Sequence, residues 1–240
     1  MNTQSSLCFI PARGGSKRVP GKNLLPLGGR SLLRRAVDSA VGAGVFDRVV
    51  VSSDDPDVEE AVASWNEVEY HRRNPELAND HARVPEVVHH YLQELPERER
   101  PETIGVVLPP CPFRTLSHVR EAYERFQKEN PAGFLVSVTR YDFPPQFAVR
   151  WEEKGAEAVH GLQLVHPEVY AMTTRSQSVE PLWHPNGALY LCGVEAFLQT
   201  ASFFSHPLIG YEMSAEDSFD IDWPHQFSMA EAMIAAGRQQ

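Results

Sequence analysis

The sequence predicts an α/β protein built on a mostly parallel sheet. Three observations carry this expectation. Short apolar runs (Leu7 to Ile10, Arg48 to Ser52 with its three valines, Thr103 to Leu108, Phe134 to Thr139) read as buried strands. Stretches with apolar residues at helical spacing fall between them. The two kinds of segment alternate over about 140 residues, which implies right-handed βαβ crossovers and parallel strands.

In chain order, the first strand stops at Pro11 and a glycine-rich basic segment follows. Ser31 then opens a helix whose buried face is Leu32, Leu33, Ala36, Val37, Ala40 and Val41, and Gly42 and Gly44 stop it. After the second strand Asp55 is placed to cap a helix with Pro56 at its first position, burying Val58, Val62 and Trp65. Pro85 starts a helix burying Val88, Tyr91, Leu92 and Leu95, and Ser117 is expected to cap one running through Val119, Ala122, Tyr123 and Phe126. From Tyr141 to about Pro185 the pattern loosens among prolines, as expected of a loop or β excursion rather than an independent domain. A strand at Ala188 to Cys192, a short helix near Glu195 to Gln199 and a last helix from Pro224 to Ala236 complete a single domain over residues 1–240.

Composition narrows the function. Lys and Arg number 22 against 32 Asp and Glu, for a net charge of -10, a poor balance for a nucleic-acid partner, which has to be met by phosphate neutralisation. Three scattered cysteines, Cys8, Cys111 and Cys192, make neither a disulfide framework nor a zinc ribbon. No apolar run approaches the ~18 residues that span a bilayer, and Met1 to Ser6 does not read as a signal peptide, so a cytoplasmic, membrane-free protein is expected. His89-His90 falls within a helix with its rings pointing apart, and no H-x-x-x-H zinc pair occurs.

Ligands of open parallel sheets bind beyond the carboxyl ends of the strands. The loop there reads Pro11-Ala12-Arg13-Gly14-Gly15-Ser16-Lys17-Arg18-Val19-Pro20-Gly21-Lys22-Asn23. It gathers four cations in ten residues of an acidic chain, with glycines that let backbone amides approach an anion, as a triphosphate requires. It is neither a Walker A loop nor a G-x-G-x-x-G fingerprint. Near the other end, Asp220 and Asp222 flank Ile221, and in an extended segment two such carboxylates share a face and suit a hard divalent cation. Together these features suggest metal-assisted nucleotidyl transfer.

The loop Ile10 to Asn23 closely resembles the signature of the CMP-sialic acid synthetases, the acylneuraminate cytidylyltransferases. So, in order, do Val51-Ser52-Ser53-Asp54-Asp55, Arg73 with Glu76 to Asp80, Pro109 to Arg114, Asn186 to Tyr190, Ser202-Phe203-Phe204, and Asp220-Ile221-Asp222. The resemblance implies a Rossmann-like three-layer nucleotidyltransferase fold with a dimerisation excursion at about 141–185, and hence a homodimer. It implies an enzyme that joins CTP to a nine-carbon α-keto sugar acid (a nonulosonate) and releases pyrophosphate, with Mg²⁺ as cofactor. By the same resemblance Arg13, Ser16, Lys17, Lys22 and Asn23 hold the triphosphate, Arg73 meets the nucleoside end, and Asp220 and Asp222 hold Mg²⁺. Lys22, Asp220 and Arg13 would be catalytic, while Arg175, Gln177, Asn186, Phe203 and Phe204 would line the sugar side.

Two departures from the family pattern bear on the substrate. Leu108 stands where a sugar-contacting Gln is usual, and Gln226 stands where a further Asp is usual. The alternatives are therefore a pseudaminic or legionaminic acid cytidylyltransferase, or a catalytically silent CTP-binding regulatory protein.

Overall fold

The computed structural model describes residues 5–152 and 161–238. The extreme N-terminus, part of the segment that bears on a leader sequence, lies outside the described residues, as does 153–160 within the expected excursion. The chain forms two compact units, Met1–Val138 with Pro185–Gln240, and Thr139–His184.

The larger unit begins with β1 (Ser6–Pro11), the two short strands β2 (Pro26–Leu27) and β3 (Arg30–Ser31), and α1 (Leu32–Ala43). Next come β4 (Arg48–Ser53), α2 (Pro56–Ala63), β5 (Glu69–Arg72), α3 (Val84–Glu94), β6 (Thr103–Val107), α4 (Leu116–Glu129) and β7 (Phe134–Arg140). The smaller unit holds β8 (Val149–Glu152), β9 (Gly161–Leu164) and α5 (Pro167–Met172). The chain then returns through β10 (Trp183–Gly193), α6 (Val194–Thr200), β11 (Leu208–Glu212) and α7 (Pro224–Ala235).

Among the described residues seven strands form the main sheet, in the order β11-β7-β10-β6-β1-β4-β5. β1 runs parallel to β4 and β6, β4 to β5, and β7 to β11. β10 lies antiparallel to β6, with Leu189 opposite Val107. Alternation along β1 separates two cores. Cys8 and Ile10 pack with Leu33, Val37, Val58, Val119 and Phe126 of α1, α2 and α4, while Leu7 and Phe9 pack with Val88, Leu92 and Phe197 of α3 and α6. Helices on both faces of a sheet make the three layers expected, and they explain why the central strands are apolar without alternation.

Local signals set most boundaries. The Ser31 side chain accepts from the Arg34 amide at the start of α1, and Asp55 accepts from Asp57 at the start of α2. Ser117, expected as a cap, lies inside α4. The cap is Thr115, whose hydroxyl accepts from the His118 amide while the His118 ring accepts from the Thr115 amide. β5 and β11 were not anticipated. They are the two edges of the sheet, so they lack the continuous apolar run of a strand buried on both sides.

In the smaller unit β8 and β9 pair antiparallel, with Val149 opposite Leu164. Phe147 is buried there against the Tyr170 ring, whose hydroxyl donates to the Phe147 carbonyl over 2.9 Å.

Candidate active site

The first loop is held open by its backbone. The Ala12 amide donates to the Ser52 carbonyl (2.9 Å), and the Ser53 hydroxyl donates to the Ala12 carbonyl (2.6 Å), which pins the loop's start to the end of β4. The Gly14 amide donates to the Asp54 carboxylate (3.1 Å). A Cβ at Gly14 would lie 2.8 Å from an Asp55 carboxylate oxygen, so any side chain there collides with the α2 cap. Gly21, at φ 63°, turns the chain into a short 3₁₀ segment that carries Lys22 and Asn23. The Asn23 amide closes the loop by donating to the Arg13 carbonyl (2.9 Å).

The cations of this loop face carboxylates from two other parts of the chain. Arg13 (2.8 Å) and Lys17 (2.5 Å) both reach Asp80. Lys22 donates to Asp222 (3.0 Å) and to the Ile221 carbonyl (2.7 Å), and Arg18 meets Asp222 at 3.3 Å with its guanidinium 4.9 Å from the centre of the Trp223 ring. Hydrogen bonds from Lys17 and then Arg13 hold Asp80 below the usual carboxylate range. Asp80 is exposed, so these pairs are screened and exchange readily for a stronger anion.

Asp220 and Asp222 flank Ile221, which is fully buried and whose amide donates to the Pro110 carbonyl (3.0 Å). The protein crowded around Asp220 raises its pKa, and the charge of Asp222 adds to this while Lys22 and Arg18 oppose it. The residue as a whole is nonetheless exposed. Gln226 explains one departure from the family pattern. Its side-chain oxygen accepts from the Asp222 (2.7 Å) and Trp223 (2.8 Å) amides and so fixes the turn into α7.

Arg73 is buried. It donates to the Ser52 carbonyl (2.9 Å), and burial pulls its pKa to about 10 against the attraction of Asp54, which leaves it charged at neutral pH. A cavity of about 500 Å³ is lined by Arg13, Ser16, Lys17, Arg18, Lys22, Asn23, Arg73 and Asp222. Val84, Val87, Leu108 and Pro109 line the same space. One cavity thus offers positive charge together with apolar side chains.

Of the other residues expected at the site, Asn186, Phe203 and Phe204 belong to the larger unit and are not among those lining this cavity. Asn186 is buried, and its amide is engaged within the framework: it accepts from the Ser137 hydroxyl (2.6 Å) and the Ala188 amide (3.1 Å) and donates to the Ser218 hydroxyl (2.8 Å). Phe203 is a core residue stacked on Phe197 at 4.7 Å, while Phe204 is exposed and meets Tyr190 edge-on. Neither phenylalanine lines the cavity. Arg175 and Gln177 belong to the smaller unit, where both are exposed around a 3₁₀ turn.

The family described as Cytidylyltransferase matches residues 7–233. The chain belongs to the cytidylyltransferase family. It is 28% identical to an N-acylneuraminate cytidylyltransferase of Streptococcus agalactiae serotype III over 92% of this chain and 51% of that protein, so the chain spans about half the length of that relative. It is 29% identical to a pseudaminic acid cytidylyltransferase of Campylobacter jejuni serotype O:2 over 83% of both chains. In fold it resembles a CMP:2-keto-3-deoxy-manno-octonic acid synthetase solved with CTP, with a TM-score of 0.70, 17% identity, and coverage of 98% of this chain and 100% of that one.

The structure brings the loop cations, Arg73 and Asp222 around one cavity. Asp80 joins them, a residue to which the sequence pattern assigned no contact. The signal was present: Asp80 lies within one of the motifs that carry the family resemblance. Only the fold shows that Asp80, 67 residues from Arg13, closes the loop's far side.

Proposed function

We propose that the protein transfers the cytidylyl group of CTP to a nonulosonate and releases pyrophosphate. The observation that carries this reading is the single cavity in which Arg13, Lys17, Arg18 and Lys22 converge with Asp222 and apolar side chains. The anomeric oxygen of the sugar acid attacks the α-phosphorus and the bond from that phosphorus to the β-phosphate's bridging oxygen breaks. Charge builds on phosphate oxygens during this step, so positioned cations supply most of the assistance. Lys22, held at 3.0 Å from Asp222, is the cation nearest the acid pair, and Arg13 and Lys17 leave Asp80 to take the β- and γ-phosphates. Asp220, or a water it holds, accepts the hydroxyl proton.

Mg²⁺ fits the donor set. Asp220 and Asp222 interact electrostatically, and no cluster of three His, Cys, Asp or Glu gathers among the described residues. Two carboxylates with room for phosphate and water oxygens suit Mg²⁺ better than a cation that needs a full protein cage. When bound, the ion supplies charge neutralisation at the phosphates and acidifies a bound hydroxyl.

Leu108 places a hydrocarbon on the cavity wall where a hydrogen-bonding side chain would select a polar substituent, which favours a nonulosonate other than one chosen through that contact. A homodimer is part of the reading. Val149, Leu162 and Leu164 of the β8–β9 hairpin are exposed apolar residues, and burying them against a second copy would remove them from water. No helix among the described residues is long and apolar enough to cross a membrane. The reading calls for a compartment that holds CTP and Mg²⁺, the cytoplasm.

The test is pyrophosphate release from CTP and Mg²⁺ with N-acetylneuraminate, legionaminate, pseudaminate and 3-deoxy-manno-octulosonate, with UTP and ATP as controls. Release with CTP and one nine-carbon acid is expected. Tight CTP binding without release from any of them would overturn the reading in favour of a silent nucleotide-binding protein.

A further inference from the structure

Arg114 is the largest fully buried side chain among the described residues, at 1% exposure. No carboxylate among the described residues is in ion-pair contact with it, and its polar partners are a hydroxyl and two carbonyls. A buried guanidinium without a counter-ion is costly, so its placement calls for a geometric explanation.

Its nitrogen Nη1 donates to the carbonyls of Leu108 (3.0 Å) and Ala188 (2.9 Å). Nε donates to the Ser39 hydroxyl (3.2 Å), which donates onward to the Ala36 carbonyl (2.8 Å) within α1. One rigid fork therefore joins the residue after β6, the start of β10's pairing with β6, and the helix that follows the cationic loop. No lysine could reach all three acceptors with a single ammonium. From Leu108 the chain continues along the cavity wall to Pro110, whose carbonyl accepts the Ile221 amide between the two aspartates. Cys111, in the same loop, meets the Asn186 carbonyl (3.5 Å) and approaches Asp220 (4.0 Å).

We infer that Arg114 is a positioning residue for the acid pair: by clamping Leu108 and Ala188 it fixes the Leu108–Pro110 segment, and through the Pro110–Ile221 bond it sets where Asp220 and Asp222 stand. It is not among the residues that line the cavity. The inference deepens the proposed cytidylyl transfer, but its structural arm does not depend on that reaction.

The experiment compares the parent with Arg114→Lys and Ser39→Ala by backbone hydrogen exchange, without nucleotide, in peptides covering 108–111 and 220–223. Exchange in both peptides rises about tenfold in Arg114→Lys and less in Ser39→Ala, while peptides of α3, remote from the clamp, stay protected as in the parent. With substrates present, kcat falls on the order of 10–100-fold and the Mg²⁺ requirement rises, while the Kd for CTP without metal stays within about threefold, because the cationic loop is untouched. Unchanged exchange at 220–223 in both variants overturns the inference, as does a general loss of protection with kcat and Mg²⁺ requirement unaltered. If Arg114→Lys fails to fold, Ser39→Ala decides alone, since it loosens the clamp by a single bond. A parent that exchanges as expected yet turns over no sugar acid rejects the proposed reaction and leaves the clamp standing.

Discussion

Replacing Asn186 with alanine separates a framework role from a sugar-binding one. In the fold its amide oxygen accepts from Ser137 and from the Ala188 backbone, and its nitrogen donates to Ser218, all in the buried interior. Ser137 keeps a second acceptor, the Leu189 carbonyl at 3.0 Å, so its loss is partial. The Ala188 amide is left without its acceptor, and the Ser218 hydroxyl without its donor. An orphaned buried donor costs roughly 1–3 kcal/mol, and the lost bond to Ser218 about 1 kcal/mol more, for a total of about 2–4 kcal/mol. For a chain of this size that corresponds to a fall in Tm on the order of 5–15 °C. The assay is thermal and urea unfolding followed by circular dichroism, alongside the KM for the sugar acid. Asn186→Asp supplies a second arm. It keeps both accepted bonds and gives up the donation to Ser218, so a framework role predicts a measurable loss of Tm here too. A Tm within about 2 °C of the parent's for Asn186→Ala, together with a tenfold rise in KM, would refute the reasoning and return Asn186 to the sugar side.

Lys22→Met should lower the rate of pyrophosphate release by about 10²–10³-fold, and a loss under tenfold would remove Lys22 from the charge-stabilising role. Asp222→Asn should abolish turnover and raise the Mg²⁺ requirement of any residual rate, read by metal titration; wild-type metal dependence would sink its assignment. Asp80→Asn should tighten CTP binding about 2–10-fold in calorimetry, because it frees Arg13 and Lys17, whereas weaker binding would mean that Asp80 itself contacts the ligand. Burial pushes the Cys8 and Cys111 thiols up to about 12 and Cys192 well above its ordinary value. The folded chain therefore keeps protons that the unfolded chain releases, so this contribution to stability is whole below about pH 9 and declines toward pH 12. A disulfide exchange reagent at pH 8 should label none of the three until the protein unfolds, and prompt labelling of one would contradict the buried placement.

The anion-binding half of the site could be read before the structure because its chemistry is local. Four cations, glycines and a short turn within Arg13 to Asn23 form one continuous segment, and a strand-end loop is where parallel sheets bind ligands. Asp55 and Ser31 were legible as caps for the same reason, since capping is settled within a few residues. Ser117 was misplaced because two hydroxyl residues stand within three positions of each other, and the choice of Thr115 depended on its exchange of bonds with His118. The edge strands β5 and β11 carry no sequence pattern strong enough to announce them, as half-exposed edges need little apolar content.

The sequence by itself determined the alternating α/β architecture, the cationic loop and the paired aspartates, because apolar periodicity and short-range charge are written in consecutive residues. Tertiary structure alone decided the partners: Asp80 against Arg13 and Lys17, Asp222 against Lys22 across 200 positions, Asn186 and Phe203 within the framework, and Arg114 bridging Leu108, Ala188 and Ser39. Such pairs depend on how the strands are ordered in the sheet and on which carbonyls are left free at their ends, and neither is encoded at any one position of the chain.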